Sequence, residues 1–222
     1  MDWNKECAVV IPCLNEGRGI CALVTEVRKS LPQVFVIDDG SQDRTGELAG
    51  QAGATVLRNQ SSQGKGAALR QGWTRAAEAG FTWVLCMDGD GQHAPADIAQ
   101  FLDRAAKGDV ALVIGNRMDN AQAMPWLRRF VNRWMSRRLS RTARLDLPDS
   151  QCGFRLLRLD AWQKISLQTT HFEIESEIIL AFARAGFKID FVPVQVIYKG
   201  ERSKIHPFKD SVRWFRWMWR QF

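Results

Sequence analysis

A short run of oxygen-bearing side chains is the part of this sequence best suited to bind a metal. Asp88, Asp90 and Gln92 stand at alternate positions, separated by glycines. Carboxylate and amide oxygens are the ligands that Mg²⁺ and Mn²⁺ prefer, and these ions also coordinate substrate phosphates. An EF-hand calcium loop begins similarly but needs Gly at its sixth position and Glu at its twelfth, where this chain has His93 and Ala99. The run therefore predicts a magnesium or manganese site.

A second polar cluster, Gly64-Lys65-Gly66, stands at the start of a predicted helix. Glycines allow a close backbone approach, and a helix N-terminus favours an anion, so the segment weakly predicts anion binding. It is neither a P-loop, because Gly66 follows the lysine, nor a dinucleotide fingerprint, because Leu69 replaces the last glycine. The histidines lack the spacing of a metal set, and we expect them to be structural or surface residues: His93, His171 and His206.

These clusters follow short apolar runs that alternate with helical patterns. Runs of strand length occur at 7–11, 34–37, 54–57, 83–87 and 110–114. Helical patterns occupy 17–30, 45–52, 66–79 and 95–107. The alternation predicts one α/β domain, residues 1–222, with an open, mostly parallel sheet, helices on both faces and peripheral amphipathic helices after about residue 117.

The same pattern places the polar clusters at one edge of the sheet. Asn15-Glu16, Asp38-Asp39 and Asp88-Gly89-Asp90 follow the first, second and fourth predicted strands. Ligands of open α/β sheets bind beyond the carboxyl ends of the strands. We therefore expect these loops to form one site.

Length and composition exclude several classes of protein. The 222 residues are 45% hydrophobic and 25% charged, which is ordinary for a globular chain. No apolar run approaches the roughly 18 residues needed to span a bilayer, and the N-terminus lacks the order of a signal peptide. The five cysteines are odd in number and include no CxxC pair. They indicate reduced thiols in a cytosolic protein and argue against a zinc ribbon or a disulfide scaffold.

The net charge of +7 is concentrated in two segments. Residues 117–144 hold eight arginines and one acid, and residues 199–222 hold seven basic residues and two acids. Such segments bind nucleic acid, anionic membrane or a phosphorylated substrate, or they are merely solvated helix faces. The chain shows no nucleic-acid-binding signature, so we expect no nucleic-acid partner.

The last segment mixes its arginines with aromatic residues at helical spacing. One stripe contains Val212, Phe215, Trp219 and Phe222, and another contains Arg213, Arg216 and Arg220. The segment 125–141 has a similar mixture. A helix of this kind suits a membrane interface, and the alternative is that its apolar stripe packs on the core.

Taken in chain order, the motifs resemble those of family 2 glycosyltransferases. The first four are Val9–Glu16, Asp38–Thr45, Gly64–Ala68 and Met87–His93. The later ones are similar to the dolichyl- or polyprenyl-phosphate mannosyltransferase branch: Ile114–Arg117, Pro148–Arg155, Phe172–Glu175 and Arg202–Lys204. The resemblance covers nearly the whole chain.

The resemblance implies a nucleotide-diphospho-sugar transferase (GT-A-like) fold, with a nucleotide-sugar half at about 1–116 and an acceptor- and membrane-facing half at about 117–222. It implies a set of residues that bind the nucleoside-diphosphate sugar: Pro12, Leu14, Glu16, Asp38, Asp39, Asp88, Gly89, Asp90, Gln92, Lys199, Arg202 and Lys204. Within this set, Asp88, Asp90 and Gln92 would hold Mg²⁺ or Mn²⁺. Arg117, with Arg128 and Arg129, would hold the acceptor phosphate, and Asp90 and Arg117 would be catalytic.

The implied reaction moves a hexose from a nucleoside-diphosphate sugar to the phosphate of a polyprenyl lipid. A lipid phosphate is already an anion at pH 7, so it needs positioning more than a general base, and in-line attack would invert the anomeric centre. Mannose from a guanosine donor is the first expectation, and glucose from a uridine donor is the second. The alternatives are a family 2 transferase with a glycan or glycolipid acceptor, and a catalytically silent nucleotide-sugar-binding module.

We expect the protein to be cytoplasmic and peripheral on the cytoplasmic face of a membrane. Its attachment would use an anionic membrane surface through the C-terminal helix, or a membrane partner protein.

Overall fold

The computed structural model of the chain describes residues 1–119, 124–197 and 207–221, and for 207–211 it describes the backbone alone. The strands in these ranges are β1 Cys7–Cys13, β2 Val34–Asp38, β3 Thr55–Arg58, β4 Trp83–Cys86, β5 Leu112–Asn116, β6 Arg155–Arg158 and β7 Ile189–Pro193. The helices are α1 Trp3–Glu6, α2 Ile20–Val27, α3 Thr45–Gln51, α4 Lys65–Glu78, α5 Ile98–Ala105, α6 Trp126–Ala143, α7 Leu159–Trp162, α8 Ile174–Arg184 and α9 Pro207–Trp219. A 3₁₀ turn at Pro95–Asp97 leads into α5.

The strands form one sheet in the order β3-β2-β1-β4-β6-β5-β7. Every neighbouring pair is parallel except that β6 runs antiparallel to both β4 and β5. The predicted open, mostly parallel sheet is confirmed, and the five predicted strands overlap β1 to β5. Cys13 at the end of β1 pairs with Asp38 at the end of β2, so the loops after these strands begin side by side.

The second half of the chain contributes more to the sheet than the sequence pattern predicts. Peripheral helices were expected after about residue 117, but β6 inserts between β4 and β5, and β7 forms the edge next to β5. The short strand β6 has arginine at both ends and lacks an alternating pattern. Its Arg155 is buried and donates hydrogen bonds to the backbone carbonyls of Ser150, Cys152 and Glu175. These acceptors come together only in the folded chain.

Helix α4 is fixed against the centre of the sheet. A Cβ atom on Gly72 would lie 2.3 Å from a Val10 methyl carbon of β1, so glycine allows the helix to approach the strand closely. Trp73 is buried, and its indole N–H donates to the Cys86 Sγ at 3.1 Å. This packing places Lys65, the first residue of α4, at the carboxyl edge of the sheet.

Two expectations from composition can be compared with the structure. All five cysteines are free thiols, as their number and spacing predict. Within the described ranges, no helix has the combination of length and apolar character that crossing a bilayer requires.

Candidate active site

The loops that follow β1 and β2 are tied together by hydrogen bonds. Asn15 adopts a left-handed backbone conformation with φ of 55°. Its N–H donates to the Ser41 Oγ at 2.9 Å, and its side-chain oxygen accepts the N–H of Gln42 at 2.8 Å. The N–H of Glu16 donates to the Thr45 Oγ1 at 2.8 Å. The two loops therefore form one rigid wall of the site.

The loop after β4 packs directly on this wall through Gly89. A Cβ atom on Gly89 would lie 2.7 Å from the Cys13 Sγ, 3.2 Å from the Glu16 Cγ and 3.4 Å from the Pro12 carbonyl oxygen. Only a residue without a side chain allows this approach. The structure thus brings Pro12 and Glu16 beside the predicted metal loop, and Leu14 is half-buried on the same wall.

Asp39 orders the loop that enters α4, and its predicted nucleotide contact stays a prediction. Its carboxylate accepts four hydrogen bonds at 2.7–2.9 Å, from the Asn59 and Ser62 side chains and from the N–H groups of Gln63 and Gly64. A carboxylate offers about four lone-pair positions, and all are used here. Asp39 therefore shapes the loop that enters α4.

Asp38 is completely buried at the end of β2. Its Oδ1 accepts the N–H of Ser41 at 2.9 Å, and its Oδ2, which accepts no hydrogen bond within the described ranges, lies 3.5 Å from the Arg58 Nε. A cleft opens beside this pair, lined by Gly40, Ser41, Arg58, Asn59 and Gln60. Asp38 thus supports the wall of a cleft.

The predicted metal ligand Asp88 belongs to a chain of alternating charges. The Lys65 Nζ lies 2.5 Å from the Asp88 Oδ1 and 2.7 Å from the Glu175 Oε1. The Glu175 Oε2 in turn lies 2.8 Å from the Arg155 Nε. Local spacing does not predict these pairings, because Lys65, Glu175 and Arg155 are far apart in the chain. The available signal in the sequence was that all three residues lie in motifs that resemble those of the family.

This ion pairing controls the ionisation of Asp88. Burial disfavours the charged forms of both Asp88 and Lys65, but their mutual attraction outweighs that effect. The pKa of Asp88 is therefore lowered, with a smaller contribution from His93, and the pKa of Lys65 is raised by Asp88 and then by Glu175. Asp88 is an anion at neutral pH, which is the form that a metal ion binds.

The prediction that the start of α4 binds an anion is wrong. The N–H groups of Gly66 and Ala67 both donate to the carbonyl of Thr170, at 2.8 and 3.2 Å. A Cβ atom on Gly64 would lie 2.4 Å from that same oxygen. The glycines allow a close backbone approach as expected, but the approaching group is a peptide carbonyl from a distant segment.

His93 is a structural residue, as expected. Its Nδ1 accepts the N–H of Asp88 at 3.2 Å, and its ring stacks on the ring of Phe154 with centroids 5.0 Å apart. Burial lowers the pKa of His93 to about 4, so the ring is neutral at pH 7. The histidine holds the start of the predicted metal loop in place.

Asp90 and Gln92 complete that loop. The N–H of Gln92 donates to the Asp90 Oδ1 at 3.0 Å. The backbone carbonyl of Gln92 accepts the N–H of Ile197 at 2.9 Å. The described residues contain no group of three or more His, Cys, Asp and Glu side chains placed as a metal cage. Asp88 and Asp90 are partly accessible carboxylates, and this small oxygen donor set fits a Mg²⁺-type ion that takes its other ligands from phosphates and water.

Arg117 is held rigidly by Asp149. Its Nε lies 2.7 Å from the Asp149 Oδ2 and its Nη2 lies 2.9 Å from the Oδ1, which is a two-bond pair buried in the protein. The attraction of Asp149 outweighs burial, so the pKa of Arg117 is raised further. The positive charge of Arg117 also contributes to the lowered pKa of Asp88.

The remaining predicted ligands are not assembled with these groups. Arg128 and Arg129 are half-buried on α6, and neither forms an ion pair with another described residue. Lys199, Arg202 and Lys204 lie outside the described residues. Their predicted roles at the acceptor and the donor therefore stay predictions.

Comparison with known proteins supports the resemblance. Residues 8–166 match Glycosyl transferase family 2. Glycosyltransferase AglJ of Haloferax volcanii is 32% identical over 208 residues, which are 91% of this chain and 67% of that protein. Polyprenol monophosphomannose synthase of Mycolicibacterium smegmatis is 28% identical over 200 residues, which are 84% of this chain and 75% of that protein.

The fold is also that of a solved glycosyltransferase. The crystal structure of glucosyl-3-phosphoglycerate synthase from Mycobacterium tuberculosis, in complex with Mn²⁺, uridine-diphosphate and phosphoglyceric acid, superposes with a TM-score of 0.73 at 18% identity. The match covers 98% of this chain and 77% of that chain. The predicted GT-A-like fold is confirmed. Because the family match extends over most of the sequence and the relatives are similar along nearly all of it, the chain is an enzyme that belongs to glycosyltransferase family 2.

Proposed function

We propose that this enzyme, as one catalytic domain of residues 1–222, transfers a hexose from a nucleoside-diphosphate sugar to the phosphate of a polyprenyl lipid. The transfer depends on Mg²⁺ or Mn²⁺ and inverts the anomeric centre. The relative named polyprenol monophosphomannose synthase supports a prenyl-phosphate acceptor. Mannose from a guanosine donor is the first proposal for the sugar, and glucose from a uridine donor is the second.

One observation carries this proposal: a single short segment connects the metal loop to the buried arginine. At one end of the segment, Asp149 holds Arg117. Four residues later, a Cβ atom on Gly153 would lie 2.7 Å from the Asp88 Oδ2 and 2.8 Å from the Lys65 Nζ. A transfer from a diphosphate to a phosphate needs a cation beside each of these neighbouring anions. This segment contacts both Arg117 and the loop that we propose holds the metal.

Each residue then has a task in the transfer. Asp88 and Asp90, with the Gln92 side chain, would hold the metal, which when bound would supply positive charge against the leaving diphosphate. Lys65 keeps Asp88 ionised and fixed in orientation. Asp149 holds the Arg117 guanidinium in one plane, so the arginine meets an acceptor phosphate without first losing side-chain freedom. The acceptor phosphate is already an anion, so the chain needs no general base for the attack.

We also propose a place of action. The enzyme is cytoplasmic and works as a peripheral protein on the cytoplasmic face of a membrane, where a polyprenyl phosphate presents its head group. The basic segments 117–144 and 199–222 favour an anionic surface. A membrane partner protein would be a second means of attachment.

The test is a product assay with the purified protein. Labelled GDP-mannose and UDP-glucose are supplied separately with a short polyprenyl phosphate in detergent and Mn²⁺ or Mg²⁺, and label is counted in the organic extract. We expect label from one donor, lost with a chelator and lost in Asp90→Asn. Asp103→Asn, an exposed carboxylate on α5, is the matched control and should keep full turnover. Donor binding without lipid product from either sugar would overturn the proposal.

A further inference from the structure

Helix α6 exposes most of its large apolar side chains, and two of its three buried positions are polar. The buried positions of α6 are Asn132, Ser136 and Leu139. Its aromatic side chains are instead exposed, with Trp126 at 74% and Phe130 at 64%. A surface helix of a globular protein ordinarily buries its apolar stripe. The orientation of α6 therefore keeps large apolar groups on the outside.

Helix α9 adds to the same exposed surface. Trp214 and Met218 are buried, while Phe215 is exposed and Trp219 is 83% exposed. The alternative in which the stripe of Phe215 and Trp219 packs on the core is therefore wrong. Val212 is half-buried, and Phe222 lies outside the described residues.

Aromatic contacts join the two helices into one surface. The Trp134 ring of α6 lies 5.7 Å from the Trp214 ring and 5.3 Å from the Phe215 ring of α9, measured between centroids. We define the α6–α9 surface by its exposed apolar side chains: Trp126, Leu127, Phe130, Trp134, Phe215 and Trp219. Singly scattered apolar side chains are normal, but a contiguous group of this size marks an interaction site.

The charge around this surface identifies its partner. Helix α6 contains six arginines and no acidic residue, and α9 adds the exposed Arg216. Arg137 and Arg138 are exposed one turn beyond Trp134. Tryptophan beside arginine suits the head-group region of a bilayer, and basic residues near an anionic leaflet add electrostatic attraction. A second copy of the chain would place arginines against arginines, which disfavours a symmetric dimer through this face.

We propose that the α6–α9 surface inserts into the head-group region of an anionic phospholipid bilayer. The inference deepens the proposed function and rests on it in one respect, because a polyprenyl phosphate resides in such a bilayer. It names both helices as the contact, whereas the sequence pointed first to the C-terminal helix.

Hydrogen bonds fix this surface relative to the acceptor arginine. The Ser136 Oγ of α6 accepts the N–H of Ser150 at 2.9 Å. The Ser176 Oγ of α8 accepts the side-chain N–H groups of Gln151 at 3.0 Å and Trp214 at 2.8 Å. Helix α6 thus holds Ser150, which follows Asp149, the partner of Arg117, and α9 is linked to Gln151 through the shared Ser176 hydroxyl. A bilayer bound to the α6–α9 surface would keep a constant position relative to that arginine.

The experiment measures partition of the full chain onto vesicles without donor or acceptor. Vesicles of phosphatidylcholine alone are compared with vesicles that also contain phosphatidylglycerol, by sedimentation. The test variant is Trp126→Ser/Phe130→Ser/Trp219→Ser. The matched control is Leu145→Ser, an exposed apolar side chain beyond the C-terminal end of α6. Circular dichroism and thermal unfolding establish that each variant is folded.

We expect the wild type to bind anionic vesicles, the triple variant to bind them at least tenfold more weakly, and Leu145→Ser to match the wild type. Equal partition of the folded triple variant and the wild type would overturn the proposal. A wild-type dimer that dissociates in the triple variant would also overturn it, by assigning the surface to a second copy. Because the assay contains no substrate, it can succeed or fail independently of the detergent-based product assay, so the two proposals fail separately.

Discussion

Replacing Lys65 by methionine should strongly destabilise the protein, because two carboxylates lose their shared counter-charge. The Glu175 side chain is 7% exposed, and the Asp88 side chain is 30% exposed. Breaking a buried ion pair by removing one partner costs about 3–5 kcal/mol. Solvent can reach part of Asp88, so we expect a loss of about 3 kcal/mol, the lower end of that range. For a chain of this size the loss lowers the midpoint of thermal unfolding by about 6–12 °C.

The measurement is urea unfolding of Lys65→Met at pH 7, followed by circular dichroism. Lys107→Met is the matched control, because Lys107 is exposed and forms no ion pair within the described ranges. Its unfolding free energy should stay within about 0.5 kcal/mol of the wild type. The double variant Lys65→Met/Glu175→Gln removes one uncompensated charge, so its loss should be smaller than the sum of the two single losses by about 0.5–3 kcal/mol. A loss below about 1 kcal/mol in Lys65→Met would refute the charge chain as described.

Three further predictions concern neighbouring positions. Burial lowers the pKa of His93 to about 4, whereas a histidine in the unfolded chain titrates near 6.5. As the pH falls, the unfolded chain therefore binds the proton first. The folded protein should lose up to about 3 kcal/mol of stability between pH 6.5 and pH 4. His93→Phe should flatten that part of the pH profile of the urea midpoint, and a slope equal to that of the wild type would contradict the assignment. Gly153→Ala places a methyl group 2.7 Å from the Asp88 Oδ2 and should reduce turnover in the product assay at least tenfold, whereas Gly19→Ala, with nothing within 4 Å, should leave it unchanged. Asp39→Asn puts an amide group against N–H donors and should cost about 2 kcal/mol in urea unfolding; a cost near zero would mean that the four hydrogen bonds do not order the loop into α4.

Much of the fold was predictable because its signals are local. The apolar runs 7–11, 34–37, 83–86 and 112–114 become buried parts of β1, β2, β4 and β5, and such runs are readable over a few residues. The strand β6 was not predictable, because Arg155 is neutralised and hydrogen-bonded only by segments distant in the chain. For the same reason the group that approaches the glycines before and after Lys65 was not predictable: the sequence shows that a group approaches them but not that it is the carbonyl of Thr170.

By itself, the sequence determined the mostly parallel sheet, the edge at which its polar loops meet, and the oxygen-rich run Asp88 to Gln92. Local spacing carries each of these, because side-chain periodicity and the alternation of strands and helices along the chain follow from neighbouring residues. Tertiary structure alone decided that Lys65 pairs with Asp88 and Glu175, and that Arg117 is held by Asp149. It also decided that α6 turns its tryptophans outward, because periodicity shows that a helix has two faces, and only packing determines which face is buried.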